Sequence, residues 1–230
     1  MKISIIIPTF NEEKTLPQII DLSLNNSKYE IELIIVDDRS TDNTRHVLSK
    51  NYSKSDKIKI IYNSKNMGKG FCVRKGIEHS SGNIILIQDA DLEYNPKEHN
   101  RLIDPIAENV ADVVYGSRFV GQDPHRVIYL FNRIANSFLT IMCNILTNLN
   151  LTDMETGLKA FKSDQIEKII LKEDGFGIEP ELTIKLSKLK LKFFEVGISY
   201  YGRTYEEGKK IRAKHFFEAI FVMFKYKFLK

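Results

Sequence analysis

The sequence predicts a doubly wound α/β domain, in which helices cover both faces of a mostly parallel sheet. Five short, β-branched, nearly continuous apolar runs occur in the first half of the chain, and segments with helical spacing of their apolar residues separate them. Continuous apolar strands need burial on both faces, and helical connections between them give parallel pairing. Ligands of such sheets bind beyond the carboxyl ends of the strands, so the polar residues after each run are the candidates for function.

The predicted strands are short, and the segments between them have the length of single helices. The strands are residues 3–8, 31–36, 58–62, 84–87 and 113–115. Helices are predicted at residues 12–24 and 42–50, and a third is expected to open at Phe71. This alternation is the pattern of repeated strand–helix–strand units with right-handed crossovers.

Two segments of the second half predict amphipathic helices. In residues 127–151, Asn and Arg side chains interrupt a stripe of bulky apolar side chains. Such a stripe is suited either to contact with a lipid tail or to packing on the core. Residues 215–227 combine bulky apolar side chains with flanking lysines. That composition is typical of a helix in a membrane interface, although such a helix also packs onto a core. No apolar run of about 18 residues occurs, so we expect no membrane-spanning helix.

The composition is that of a globular protein. Of the 230 residues, 43% are hydrophobic and 28% are charged, which excludes a disordered chain and supplies a packed core. The two cysteines, Cys72 and Cys143, have no metal-ligand spacing, and the chain opens on a predicted strand without a secretory signal. We therefore expect a single domain in a reducing compartment, the cytoplasm.

The charge is divided unevenly along the chain. Residues 185–230 hold 12 basic and 4 acidic side chains, whereas the first 184 residues hold 22 basic and 26 acidic ones. A basic region suits an anionic surface such as lipid headgroups, or forms a solvated face. The acidic body disfavours nucleic acid as a partner, since it would repel a phosphate backbone.

Polar residues follow the first two predicted strands. The first strand is followed by Pro8-Thr9-Phe10-Asn11-Glu12, and the second ends in Asp37-Asp38. Two adjacent carboxylates can accept hydrogen bonds from a ribose or a base, whereas Thr41 or Asp42 is expected to cap the next helix. The glycine patterns of dinucleotide enzymes and of P-loop NTPases are absent, which argues against both classes.

The next two strands are followed by a glycine–lysine turn and by an acidic loop. Gly68-Lys69-Gly70 opens a helix, where backbone amides and an ammonium can meet a phosphate, although such a turn also serves as an ordinary connection. Asp89, Asp91 and Glu93 come at alternate positions after the fourth strand. Oxygen ligands select a hard cation, Mg²⁺ or Mn²⁺, and carboxylates without a cation would repel one another.

Seven motifs in order resemble those of the family 2 glycosyltransferases of the GT-A fold, in particular the dolichol-phosphate mannose synthase branch and other polyprenyl-phosphate glycosyltransferases. They are Pro8-Thr9-Phe10-Asn11-Glu12, Val36-Asp37-Asp38, Gly68-Lys69-Gly70, Asp89-Ala90-Asp91, Gly116-Ser117-Arg118, Asp153-Met154-Glu155-Thr156-Gly157 and residues 201–210. The resemblance covers essentially the whole chain. It implies one Rossmann-like GT-A domain over residues 1–230, with a nucleotide-binding half at 1–117. The acceptor-binding half, residues 118–230, ends in the amphipathic helix.

The resemblance also implies roles for individual residues. The nucleotide sugar would be bound by Pro8, Thr9, Asn11, Glu12, Asp37, Asp38, Lys69, Asp89, Ala90, Asp91 and Lys209. The metal ligands would be Asp89, Asp91 and Glu93, and the acceptor phosphate would be held by Arg118, Arg133 and Ser137. The catalytic residues would be Asp91, Arg118 and Arg203. Glu93 departs from the Gln that relatives often carry, which leaves its role as a metal ligand and the identity of the sugar open.

Glycosyl transfer from a nucleotide sugar needs the leaving diphosphate to be neutralised as the glycosidic bond breaks. A divalent cation on Asp89 and Asp91, assisted by cations such as Arg203, Lys209 and Lys210, would do so. A phosphate monoester acceptor is already anionic at neutral pH and needs no general base. Arginines then define the acceptor site.

We therefore expect an inverting transferase that moves mannose or glucose from GDP-mannose or a UDP-sugar to a polyprenyl (dolichyl) phosphate. Its expected place is the cytoplasmic face of a membrane, attached peripherally by amphipathic helices or by a membrane-anchored partner protein. One alternative is a family 2 transferase that elongates a polysaccharide or glycolipid at a hydroxyl, with Glu179 or Glu181 as base. The other alternative is a non-enzymatic, lipid-binding scaffold.

Overall fold

The computed structural model describes residues 1–121, 124–127, 129–204, 206–207 and 213–228. One seven-stranded sheet runs through this part of the chain. The strands are β1 (Lys2–Thr9), β2 (Glu30–Asp37), β3 (Ile58–Tyr62), β4 (Ile84–Ile87), β5 (Val113–Ser117), β6 (Lys159–Lys162) and β7 (Phe193–Gly197). The helices are α1 (Leu16–Asn25), α2 (Thr44–Asn51), α3 (Lys69–Glu78), α4 (His99–Ala107), α5 (Leu130–Thr147), α6 (Ser163–Ile166), α7 (Ile178–Ser187) and α8 (Ala213–Phe228).

The strand order is β3-β2-β1-β4-β6-β5-β7, and only β6 runs antiparallel to its neighbours. The predicted doubly wound, mostly parallel sheet is confirmed, with the five predicted strands and the helices between them in place. The two last strands were not predicted. β6 has four residues with a lysine at each end, and β7 carries a glutamate in its centre, so neither reads as a continuous apolar run.

The expectation that all five strands are buried on both faces is wrong for β3. Lys59 and Tyr62 are exposed there, because β3 is an edge strand that pairs only with β2. By contrast, every residue of β4 and β5 is buried, since both lie inside the sheet and helices cover them.

The pairing register brings the functional segments to one edge of the sheet. Thr9 pairs with Asp37, so β1 and β2 end side by side. β6 begins at Lys159, which pairs with Ile87 of β4 on one side and with Tyr115 of β5 on the other. Because β6 is antiparallel, the segment before it meets the segments that follow β4 and β5 at this edge.

The two predicted amphipathic helices are present as α5 and α8, which pack against each other and onto the sheet through α7. One face of α8 is buried through Ala219, Val222 and Met223, while Phe217 and Phe221 on its other face are exposed. The C-terminal helix therefore packs on the core and also leaves an apolar face uncovered. Within the described ranges, no helix has the length and apolarity needed to cross a membrane.

His99, at the start of α4, fixes the beginning of the loop that follows β4. Its imidazole is fully buried, and Nε2 donates to Oε1 of Gln88 over 2.7 Å. The amide nitrogen of Gln88 in turn donates to the carbonyl oxygens of Asp89 and Tyr94 at 2.9 and 3.3 Å. Burial lowers the pKa of His99 to about 3, so the side chain stays neutral and keeps this arrangement.

We predict that His99 makes the fold sensitive to acid. The unfolded chain protonates this group near its ordinary pKa of 6.5 and the folded chain near about 3, so the unfolded state binds more protons between these values. The free energy of unfolding should therefore fall as the pH falls through this window, by up to about 1.4 kcal/mol per pH unit. In urea titrations, His99→Gln should flatten this dependence and His46→Gln, at an exposed position, should not. Equal slopes in the wild type and His99→Gln would contradict the account.

Candidate active site

The loop after β4 carries three carboxylates within five residues. Leu92 has a φ of 60°, a left-handed conformation that reverses the chain between Asp91 and Glu93. An oxygen of Asp91 accepts the backbone N–H of Glu93 at 3.1 Å, which stabilises the turn. The acidic residues predicted from the sequence therefore lie at the carboxyl edge of the sheet, as expected.

Lys69 reaches this loop from the start of α3. Its Nζ lies 2.7 Å from Oδ1 of Asp89 and 2.9 Å from Oε1 of Glu179. Glu179 also pairs with Lys159, whose side chain is fully buried and donates to the carbonyl oxygen of Met154 at 2.9 Å. The two carboxylates raise the pKa of Lys69 well above its usual range, although burial opposes this effect. Alternating charges thus hold the Lys69 ammonium against Asp89.

Arg203, from the segment after β7, covers the other side of the acidic loop. Its Nη2 lies 2.8 Å from Oδ2 of Asp91 and 3.3 Å from Oε1 of Glu12. Its backbone N–H donates to Glu93 at 2.8 Å, and the hydroxyl of Tyr200 donates to the other oxygen of Glu93 at 2.9 Å. The proximity of Arg203 to Asp91 is what a diphosphate-binding role for both would require.

The carboxylates of this loop carry more negative charge than their protein partners neutralise. Burial, together with Glu93 and Asp89, raises the pKa of Asp91 to about 7. Burial also raises the pKa of Asp89, even though Lys69 opposes this shift. An oxygen-only donor set with surplus charge fits a divalent cation of the Mg²⁺ or Mn²⁺ type. The side chains of the described residues do not bring three or more metal-binding groups together, since Lys69 and Arg203 lie against the carboxylates.

Asp38 positions the glycine–lysine turn. Its carboxylate accepts the backbone N–H groups of Met67 and Gly68 at 2.8 and 2.7 Å. Gly68 has a φ of +99°, and a Cβ there would lie 2.5 Å from the carbonyl oxygen of Asp174, so only glycine fits. Asp38 therefore fixes the loop that carries Lys69, a role that the sequence did not reveal.

Asp37 has other partners. Its buried carboxylate lies 2.5 Å from Nε of Arg45 and accepts the backbone N–H of Ser40 at 3.3 Å. Asn11 ties the first loop to the second, since its side-chain oxygen accepts the backbone N–H of Thr41 at 2.8 Å. Asp42 accepts the N–H of Thr44 at 3.0 Å, but the N-cap of α2 is Asn43, so the expected helix cap at Thr41 or Asp42 is wrong by one or two residues.

Three further residues predicted to bind the nucleotide follow or end the strands β1 and β4. Pro8 and Thr9 are the last residues of β1, and Ala90 belongs to the hydrophobic core. Contact of these residues with a nucleotide stays a prediction. Lys209 and Lys210 lie outside the described residues.

The predicted acceptor arginines meet beside one aromatic ring. Nε and Nη2 of Arg118 each lie 2.6 Å from an oxygen of Asp153, which is fully buried. The guanidinium groups of Arg118 and Arg133 lie 5.5 and 5.1 Å from the centre of the Phe119 ring. Ser137 follows Arg133 by one turn of α5. Arg133 forms no ion pair with the described residues, so these two cations can face one anion.

The segment 153–157 connects the acidic loop with the arginines. At one end Asp153 holds Arg118, and at the other Gly157 lies so close to Asp89 that a Cβ would overlap its Oδ2. The N–H of Gly157 also donates to the hydroxyl of Tyr94 at 3.1 Å. Glu155, between them, was not assigned a role from the sequence; burial raises its pKa to about 7, although the nearby Lys159 opposes this shift.

The fold agrees with the comparisons to known proteins. Residues 4–170 match the family model described as "Glycosyl transferase family 2". The chain belongs to this family. It is 32% identical to a dolichol-phosphate mannosyltransferase of Pyrococcus furiosus, over 92% of this chain and 61% of that protein. It is 29% identical to an undecaprenyl-phosphate 4-deoxy-4-formamido-L-arabinose transferase of Proteus mirabilis, over 90% of this chain and 62% of that protein.

A solved structure of similar fold is glucosyl-3-phosphoglycerate synthase of Mycobacterium tuberculosis, in complex with Mn²⁺, uridine diphosphate and phosphoglyceric acid. The TM-score is 0.76 at 18% identity, and the similarity covers 100% of this chain and 79% of that one. The predicted GT-A fold is therefore confirmed. The chain spans about three fifths of the length of the two curated relatives.

We predict that Gly157→Ala disables the site and leaves the fold intact. The added methyl group must displace Asp89, whose carboxylate is held by Lys69, and a displacement of about 1 Å at a reacting centre costs on the order of a hundredfold in rate. Gly175→Ala is the matched control, because among the described residues its methyl group would meet the Glu218 side chain alone. Transfer rates and thermal unfolding midpoints check this. Unchanged transfer by Gly157→Ala would contradict the close packing of Gly157 on Asp89.

Proposed function

We propose that this family 2 glycosyltransferase moves a hexose, mannose or glucose, from a nucleotide sugar to a polyprenyl phosphate with inversion at the anomeric carbon. The observation that supports this most is the pair of arginines beside Phe119, joined by the segment 153–157 to the acidic loop. The acidic loop suits a diphosphate with a cation, and the pair of arginines suits a phosphate monoester. Transfer of a sugar from a diphosphate to a phosphate monoester needs both sites.

On the donor side, Asp89 and Asp91 would hold Mg²⁺ or Mn²⁺, with Glu93 as a further candidate ligand. When bound, the cation neutralises charge on the leaving diphosphate. Lys69 and Arg203 carry fixed positive charge at the same place and would bind diphosphate oxygens. The M. tuberculosis structure, which holds Mn²⁺ and uridine diphosphate on the same fold, supports this reading.

On the acceptor side, Arg118, Arg133 and Ser137 would bind the phosphate of the lipid. Asp153 orients the Arg118 guanidinium by two parallel hydrogen bonds, which fixes its plane before the acceptor arrives. A phosphate oxygen is already ionised at neutral pH and attacks without a general base. The names of the two curated relatives, which act on dolichol and undecaprenyl phosphates, support a polyprenyl phosphate here.

The surroundings of the two candidate bases disfavour a hydroxyl acceptor. Burial alone would raise the pKa of Glu179, but Lys159 and Lys69 lower it below its usual value, which makes it a weak base. Glu181 accepts the backbone N–H of Lys172 at 2.8 Å and pairs with Lys185. Polysaccharide or glycolipid elongation is therefore the second candidate function.

An apolar surface on α5 and α8 supports attachment to a membrane. We define this surface by its exposed side chains, Leu130, Phe131, Ile134, Phe138, Ile141, Ile145, Phe217, Phe221, Phe224 and Phe228. Arg133 belongs to the same helix, so an acceptor phosphate bound there would keep its polyprenyl chain close to this surface. This surface supports peripheral attachment, directly or beside a membrane-anchored partner, and the cytoplasmic face is the place we propose for it.

A transfer assay tests the proposal. GDP-mannose, UDP-glucose and UDP-N-acetylglucosamine are each incubated with the protein, a short polyprenyl phosphate and Mn²⁺, with EDTA as the metal-free control. We expect one donor to give a lipid-linked monosaccharide in the presence of metal. Transfer to a saccharide hydroxyl, with none to the lipid phosphate, would establish the second candidate instead.

We predict that Arg133→Ala specifically impairs use of the acceptor. Losing a charge-assisted contact to a phosphate costs about 1.5–3 kcal/mol, or roughly ten- to a hundredfold in kcat/KM for the lipid phosphate. Nucleoside diphosphate affinity, measured by calorimetry, should not change. Arg101→Ala, an arginine on α4, is the control and should transfer normally. Normal kinetics with Arg133→Ala would remove Arg133 from the acceptor site.

We predict that the apolar surface on α5 and α8 is responsible for binding of the protein to lipid vesicles. Replacing Phe131 and Phe221 by Ser together should lower the partition coefficient on anionic vesicles at least about tenfold, since a buried Phe contributes about 1.5–3 kcal/mol. Binding by the wild type should weaken with salt, because basic contacts contribute up to about 1 kcal/mol each. Val110→Ser, an exposed apolar position before β5, is the control in vesicle sedimentation. Equal partitioning of the double variant and the wild type would contradict this assignment.

A further inference from the structure

Glu155 has a buried carboxylate oxygen without a partner. Its Oε1 is inaccessible to solvent and accepts no hydrogen bond. A buried acceptor that stays unsatisfied costs about 1–3 kcal/mol, so native structures seldom keep one without a ligand. Glu155 is the central residue of the segment 153–157, which joins the two proposed phosphate sites, so a ligand of this oxygen would be part of a substrate.

The residues on either side of Glu155 in the chain contact the two proposed phosphate sites. Two residues earlier, Asp153 holds Arg118 of the acceptor site, and two residues later, Gly157 lies on Asp89 of the donor site. Lys159 and Arg118 are the nearby positive charges that act on Glu155, while Glu179 and Asp153 are the nearby negative ones. The stretch of chain that carries Glu155 therefore runs from the place proposed for the lipid phosphate to the place proposed for the diphosphate.

The chemistry of the substrates restricts what Glu155 can bind. The diphosphate and the lipid phosphate are anions, which a carboxylate repels. The acceptor oxygen must reach the anomeric carbon, so the hexose has to lie between the two phosphates. It is the uncharged part of either substrate at this place, and its hydroxyl groups are hydrogen-bond donors.

We propose that Glu155 accepts a hydrogen bond from a hydroxyl of the transferred hexose and so determines which sugar the enzyme uses. This inference rests on the proposed function and adds to it the residue that reads the sugar. A site built to bind a hydroxyl discriminates strongly against an analogue without it, because the buried oxygen is then left unpaired. Glu155 would act by binding the ground state and the transition state of transfer, without exchanging a proton.

The test is a double-mutant-type cycle between Glu155 and the sugar. Wild type and Glu155→Ala are assayed with the accepted donor and with its monodeoxy analogues, each lacking one hydroxyl. We expect the wild type to lose roughly ten- to a hundredfold in kcat/KM with one particular analogue. Glu155→Ala should lose a similar factor with the intact donor and nothing further with that analogue.

Binding and stability provide readouts that do not depend on turnover. By calorimetry, Glu155→Ala and Glu155→Gln should bind the nucleotide sugar more weakly and the free nucleoside diphosphate as tightly as the wild type does. The unfolding midpoint of Glu155→Gln without ligand should equal or exceed that of the wild type, since the substitution removes a carboxylate that is costly to bury with one oxygen unsatisfied. Glu167→Ala, at an exposed glutamate after α6, is the control and should change none of these values.

The outcomes separate this inference from the proposed function. If the wild type transfers no hexose from any nucleotide sugar, the proposed function fails. If the wild type transfers but every deoxy analogue loses the same factor in Glu155→Ala as in the wild type, the role of Glu155 is overturned. An equal loss of affinity for the free nucleoside diphosphate, or a raised KM for the lipid phosphate alone, would likewise overturn it and assign Glu155 to a phosphate site.

Discussion

The crowding of carboxylates at the carboxyl edge of the sheet is the constraint on which the rest of the site depends. Asp89, Asp91 and Glu93 lie in one tight turn, and Lys69, 20 residues before Asp89, and Arg203, 112 residues after Asp91, contact them from separate segments of the chain. Asp38 fixes the turn that carries Lys69, and His99 fixes the start of the acidic loop through Gln88. Much of the buried polar network at this edge thus serves to hold charges of opposite sign together.

A second feature, the segment 153–157, connects the acidic loop with the pair of arginines. It holds Arg118 through Asp153 and packs on Asp89 through Gly157, so the proposed donor and acceptor sites are both in contact with this segment. The antiparallel strand β6 is what places this segment, because it enters the sheet between β4 and β5 from the functional edge. An all-parallel sheet would begin β6 at the opposite edge.

The strands that could be predicted from sequence are those whose burial on both faces leaves a continuous β-branched run, as in β1, β2 and β4. β6 could not be predicted, because Lys159 is buried through its ion pair with Glu179, a partner 20 residues away. The motifs located Asp89, Asp91 and Arg203, which do meet. They did not reveal that Asp153 orients Arg118 or that Oε1 of Glu155 lacks a hydrogen-bond partner, since both facts depend on how separate loops pack.

We propose that the negative charge around Asp89 and Asp91 forms a site for a cation with a diphosphate. Titration calorimetry of uridine and guanosine diphosphates into the wild type, with Mn²⁺ and with EDTA, tests it most directly. We expect one of the two nucleotides to bind at least about tenfold more tightly with Mn²⁺ than with EDTA, a coupling free energy of about 1.4 kcal/mol or more. Equal affinity for both nucleotides with Mn²⁺ and with EDTA, or no binding at all, would contradict it.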